Sequence, residues 1–175
     1  DTHARVPEYY AAVDAAAQGA GTTALIAVGW DPGLFSLDRL YGECVLPVGQ
    51  TDTFWGKGLS QGLSDAIRRV AGVAGGVQYT LPVEAAVQRV RNGEQPELST
   101  REKHKRQCFV VLEQGADADA VREAIVTMPD YFADYDTEVN FIDAQTLARD
   151  HAAMPHGGFV IRSGQSAAGS QQVVE

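Results

Sequence analysis

Positive charge is scarce in this 175-residue chain. Only 14 Lys and Arg stand against 23 Asp and Glu, a formal net charge of −9. Phosphate backbones call for a basic face, so this balance argues against a nucleic-acid partner. Long apolar runs are missing too. Ala24 to Val28 is far too short to span a bilayer, and no cationic start leads into a secretory core. Cysteine is limited to Cys44 and Cys108, which form no disulfide framework and lack metal-ligand spacing. Two free thiols suit a reducing compartment, and the expected location is the cytoplasm, away from any membrane.

Signature loops are equally sparse. Gly19 and Gly21 follow a predicted helix rather than a strand, and Gly72, Gly75 and Gly76 have the wrong spacing for a dinucleotide cradle. There is no internal repeat either. The chain therefore has no cofactor-binding fingerprint of its own.

What remains is an ordinary globular composition, 45% hydrophobic and 21% charged. Its length suits one domain with a proper core. The start at Asp1 without Met and the uncapped apolar end at Val173 and Val174 read as cuts from something longer.

Patterning predicts helices over Pro7–Gln18, Leu34–Val45, Ser64–Val70, Val83–Arg91, Asp117–Met128 and Asp143–His151. In the second, Leu37, Leu40, Tyr41 and Cys44 make the apolar face. In the third, Ser64 is the expected cap. Strands are predicted over Thr22–Val28, Asp52–Gly56, Val77–Leu81, Gln107–Glu113, Thr137–Ile142 and Gly158–Arg162. This alternation implies an α/β or α+β class, with a mixed β-sheet and helices packed on one face. Residues 1–164 form the expected domain. Ser163–Gln172 is rich in Ser, Ala, Gly and Gln, so residues 165–175 read as a flexible tail or truncated connection.

Chemistry-bearing residues cluster at a few places. Asp31 sits in Gly29-Trp30-Asp31-Pro32-Gly33 directly after a predicted strand, where α/β folds bind ligands. Its carboxylate suits an ammonium group and Trp30 offers a flat wall, although Asp-Pro-Gly is also ordinary turn chemistry. The loop Phe54 to Gly62 combines Trp55 with three glycines whose N–H groups can approach a ligand closely. Within the basic run Arg101–Arg106, mostly a solvated face, Arg106 adjoins a strand and is placed to fork a carboxylate. Thr80 adds a hydroxyl on a strand. His156 lies in the turn Met154-Pro155-His156-Gly157-Gly158, as a lone histidine with no partners for a metal site.

The order and wording of these motifs resemble one family. Gly29-Trp30-Asp31-Pro32-Gly33, Thr53-Phe54-Trp55-Gly56, Gly58-Leu59-Ser60-Gln61-Gly62, Tyr79-Thr80-Leu81-Pro82, His104-Lys105-Arg106-Gln107-Cys108-Phe109 and Met154-Pro155-His156-Gly157-Gly158 are similar to meso-diaminopimelate dehydrogenase, from Asp1 to about Gly164. The resemblance implies a homodimer that uses NADP for reversible oxidative deamination at the D-centre of meso-diaminopimelate. The products are 2-amino-6-oxopimelate and ammonia, within lysine biosynthesis. It also implies that this chain is the central and C-terminal domain of a two-domain enzyme, which binds substrate and dimerises.

By the same resemblance, Asp1 and Asp31 are the catalytic acidic pair that receives the D-centre ammonium. Trp30 and Trp55 line the reacting end, and Thr80, Arg106 and His156 hold the distal L-centre carboxylate. Leu63 departs from the histidine the family has there. NADP is expected to bind mainly to a domain absent from this chain, so the fragment alone is expected to be inactive. The other reading is a diaminopimelate-binding or dimerisation module without catalysis.

Overall fold

A computed structural model describes residues 6–153 and 157–175. Helix α1 (Val6–Ala20) carries Pro7 in its first turn, where a missing N–H costs nothing. The expected strand over Thr22–Val28 does not form. Ala27 adopts a positive φ of 58°, Leu25 is 77% exposed, and no described strand lies alongside to complete a ladder. β-branched content without a pairing partner does not make a strand.

Helix α2 (Leu34–Val45) has the predicted bounds but turns its other side inward. Phe35 and Gly42 are buried, whereas Leu37, Leu40, Tyr41 and Cys44, the expected apolar face, are exposed. Apolar residues ring this helix, and packing selects the side that carries a small residue. A Cβ on Gly42 would already lie 3.1 Å from the Arg162 side chain.

The class is mixed α/β, and its strands divide between two sheets. One is antiparallel, in the order β1 (Val48–Trp55), β6 (Gly158–Gln165), β7 (Gln171–Val174). The other runs β2 (Gly58–Leu59), β3 (Val73–Pro82), β4 (His104–Leu112), β5 (Asp136–Phe141). In it β4 and β5 are parallel, joined through α6 (Ala118–Val126), which is capped by Asp117. The low-complexity stretch is not a loose tail in the structure. It completes β6 and enters β7, and the Glu175 carboxylate accepts from Arg91 at 2.6 Å.

Helix α3 (Gln61–Arg68) begins three residues before the predicted cap. Ser60 caps it, while Ser64 is buried and its hydroxyl accepts the Gln78 N–H at 3.0 Å. Helices α4 (Glu84–Arg91), α5 (Thr100–Lys103) and α7 (Ala144–Asp150) complete the set, and Asp143 caps the last as expected.

Ile67, Cys108, Val110, Ile125 and Phe132 centre one core, and Phe54, Val87, Val90 and Ile161 a second. Strand β4 links core to chemistry. His104, Arg106, Cys108 and Val110 alternate inward along it, polar at one end and apolar at the other.

Candidate functional site

The inward polar end of β4 opens into a cavity of about 330 Å³. Asp31, Trp55, Thr80 and Arg106 line it, residues from four separate segments of the chain. Trp30 is not among the lining residues. It meets Phe35 edge-on at 5.5 Å, and Phe35 lies 5.0 Å from Trp55, so the two indoles are joined through Phe35. Asp1 and His156 lie outside the described residues, although Gly157 reaches the wall.

Asp31 is held in its turn by local geometry. Leu34 donates its N–H to the Gly29 carbonyl and Phe35 donates to that of Trp30, both close to 3 Å. Gly33 takes φ +141°, and a Cβ there would sit 2.0 Å from the Gly29 oxygen, so only glycine fits. Gly158 lets β6 pass Phe54 and Phe35, where a Cβ would meet atoms at 2.7 and 2.8 Å.

Arg106 pairs directly with Thr80 across the β3–β4 ladder, and its Nη1 donates to the Thr80 hydroxyl. The guanidinium carbon stands 3.8 Å from the Tyr135 ring centroid. Only 9% of the residue is exposed, and its Nε is a buried donor without a partner. Burial pulls the Arg106 pKa down from its ordinary value, with Tyr135 opposing. A guanidinium nonetheless stays protonated in proteins. A buried cation at a cavity wall is suited to an anion, a carboxylate above all.

His104, Tyr135 and Arg39 belong to the site and were not legible as such. The His104 Nε2 accepts the Trp55 backbone N–H at 2.9 Å. Burial, then the charges of Arg106 and Lys103, hold its pKa down at about 4, so the ring is neutral near pH 7. Its alternation with Arg106 on one strand was the available signal. Tyr135 carries none, because it arrives from the irregular segment before β5. Arg39 reaches Asp31 from α2, donating from Nη1 at 3.0 Å and from Nη2 at 2.5 Å. Its signal was the spacing Phe35, Arg39, Gly42, which is one helix face.

Among the described residues, no group of three or more His, Cys, Asp and Glu is placed to hold a metal. No helix among them is long and apolar enough to cross a membrane.

Comparison with known proteins bears on this cavity. Residues 29–175 match the family described as diaminopimelic acid dehydrogenase C-terminal domain. A meso-diaminopimelate D-dehydrogenase of Ureibacillus thermosphaericus is 65% identical over the whole chain, which spans 54% of that protein. A meso-diaminopimelate dehydrogenase of Clostridium tetani, substituted at six positions and solved with DAP, superposes with a TM-score of 0.85 at 52% identity. It covers 99% of this chain and 54% of its own. An engineered D-amino acid dehydrogenase bound to NADP+ gives a TM-score of 0.82 at 46% identity, with the same coverage. The chain thus spans about half the length of the curated relatives it matches.

Proposed function

Because this chain belongs to the family of diaminopimelic acid dehydrogenase C-terminal domains, we propose that it is the substrate-binding half of an NADP-dependent meso-diaminopimelate dehydrogenase. The whole enzyme reversibly deaminates the D-centre to 2-amino-6-oxopimelate and ammonia, serves lysine biosynthesis, and works as a homodimer in the cytoplasm. Residues 1–164 carry substrate binding and dimerisation. Residues 165–175, which add β7 to the first sheet, begin the connection to the rest of the protein.

One observation carries this reading: a carboxylate, Asp31, and a buried cation, Arg106, line the same cavity. Such a pocket matches a ligand with an ammonium at one end and a carboxylate at the other. Asp31 receives the D-centre ammonium, together with Asp1. Trp55 walls that end. Arg106 and Thr80, with His156, hold the distal carboxylate. Charge-assisted hydrogen bonds contribute roughly 1.5–3 kcal/mol each, enough to decide which of two similar ends is presented for reaction.

The sequence order supports the same assignment. Five of the six residues altered in the substituted Clostridium tetani enzyme solved with DAP are a Gln, a Thr, an Arg, a Pro and a His. These recur here at the same intervals as Gln61, Thr80, Arg106, Pro155 and His156.

Gly75 and Gly76 lie inside β3, and Gly21 ends α1, so neither glycine set sits at a strand-to-helix turn. NADP is therefore assigned to the remaining half of the enzyme, and this chain contributes positioning.

The test is NADPH formation by the full-length protein containing this chain, supplied with NADP+ and meso-diaminopimelate. Turnover that releases stoichiometric ammonia supports the reading, and its absence in a folded, NADP-binding protein overturns it. Calorimetry of the 175-residue chain should show no NADPH binding.

A further inference from the structure

The Asp31 carboxylate does not stand alone at the cavity wall. Arg39 lies on the inward face of α2, one turn after Phe35 and one before Gly42, and its guanidinium projects over the Gly29–Gly33 turn. Nη1 donates to Asp31 Oδ2 at 3.0 Å and to the Thr53 hydroxyl at 3.1 Å. Nη2 donates to Asp31 Oδ1 at 2.5 Å and to the Ser36 hydroxyl at 3.3 Å. A guanidinium has four terminal N–H bonds, and all four are used here. Ser36 in turn accepts the Gly33 N–H at 3.3 Å, and Thr53 stands two residues before Trp55 on β1.

This arrangement ties the turn, the helix and the strand to one planar cation. It also excludes the most obvious alternative role. An arginine beside a carboxylate in an amino acid pocket suggests a zwitterion receiver, but this one has no terminal donor left for a substrate carboxylate. Each Asp31 oxygen has one bond to Arg39 and keeps lone-pair capacity for an ammonium. We infer that Arg39 is a positioning residue of the reaction: it orients the Asp31 carboxylate so that the bound ammonium, and the carbon bearing it, are presented at a fixed angle. The inference rests on the proposed role of Asp31 as ammonium receiver.

The consequence differs from that of losing a binding residue. The distal clamp at Arg106 and Thr80 is remote in sequence and touches none of this network, so substrate still binds when Arg39 is removed. What is lost is the placement of the reacting end. A misplacement near 1 Å can lower turnover on the order of 10²-fold.

The experiment is steady-state kinetics of the full-length enzyme carrying Arg39→Met, Arg39→Lys and, in parallel, Asp31→Asn, with meso-diaminopimelate and NADP+. Arg39→Met is expected to lower kcat by about 10²-fold, with KM changed by less than about threefold. Arg39→Lys keeps the charge but not the fork and is expected to regain only part of kcat. Equal kcat for Arg39→Lys and the parent would overturn the inference, and it remains decisive if Arg39→Met fails to fold. So would a loss expressed wholly in KM. If Asp31→Asn is inactive while both Arg39 variants turn over normally, Arg39 alone is misassigned. If Asp31→Asn retains full kcat, the assignment of Asp31 itself fails, and the role of Arg39 with it.

Discussion

Arg106 and Thr80 face each other across the β3–β4 ladder, and a guanidinium N–H donates to the threonine hydroxyl at the cavity wall. The register of two strands thus pre-orients a buried cation. Its Nε is a buried donor without a hydrogen-bond partner.

Replacing Arg106 by Leu in the full-length enzyme should therefore cost about 2–5 kcal/mol in kcat/KM for meso-diaminopimelate, the usual range for breaking a desolvated charge pair. Steady-state kinetics measure this directly. An unchanged kcat/KM would remove Arg106 from the distal clamp.

D-Lysine presents the same D-centre but lacks the distal carboxylate. It leaves Arg106 buried and unpaired, so its kcat/KM should fall below that of meso-diaminopimelate by about 10²-fold or more. Comparable turnover of the two amino acids would contradict the clamp.

His104 supplies a pH dependence of stability. Its folded pKa of about 4 lies below the ordinary value of 6.5, so the unfolded chain binds the proton more tightly. The neutral ring's stabilising share is intact above pH 6.5 and is lost as pH falls toward 4, by roughly 3 kcal/mol. His104→Gln cannot titrate, so its stability relative to the parent should rise by about that amount between pH 7 and pH 4. Urea unfolding of both proteins at the two pH values provides the check, and parallel pH curves would refute it.

The turn that carries Asp31 depends on Gly33. With φ at +141° and a Cβ position 2.0 Å from the Gly29 oxygen, Gly33→Ala should destabilise the protein by roughly 1–3 kcal/mol. It should also displace Asp31, so kcat falls with stability. Denaturant titration and kinetics of the same variant test both effects, and full stability would show that the turn relaxes freely.

Local patterning located most elements because their causes are local. Asp117 and Asp143 cap their helices by accepting N–H groups only two or three residues further on, and Asn92-Gly93 closes α4 with Gly93 at positive φ. It misled where the cause was a distant partner. Thr22–Val28 had strand composition but no neighbouring strand among the described residues, and α2 turned inward the side with Phe35 and Gly42 rather than its more apolar one. The low-complexity end became a hairpin because β6 offered it an edge.

The candidate cavity divides in the same way. By itself, the sequence determined which residue types were available: a carboxylate in a constrained turn, an arginine beginning a strand, a threonine on another strand and an indole in a glycine-rich loop. Its motif strings also determined the family. Only the tertiary structure decided that Asp31 is forked by Arg39, that His104 is neutral and holds the Trp55 N–H, and that Tyr135 covers the Arg106 guanidinium. The reason is physical. A side chain's charge state and orientation depend on burial and on partners tens of residues away, and those are properties of packing rather than of the local chain.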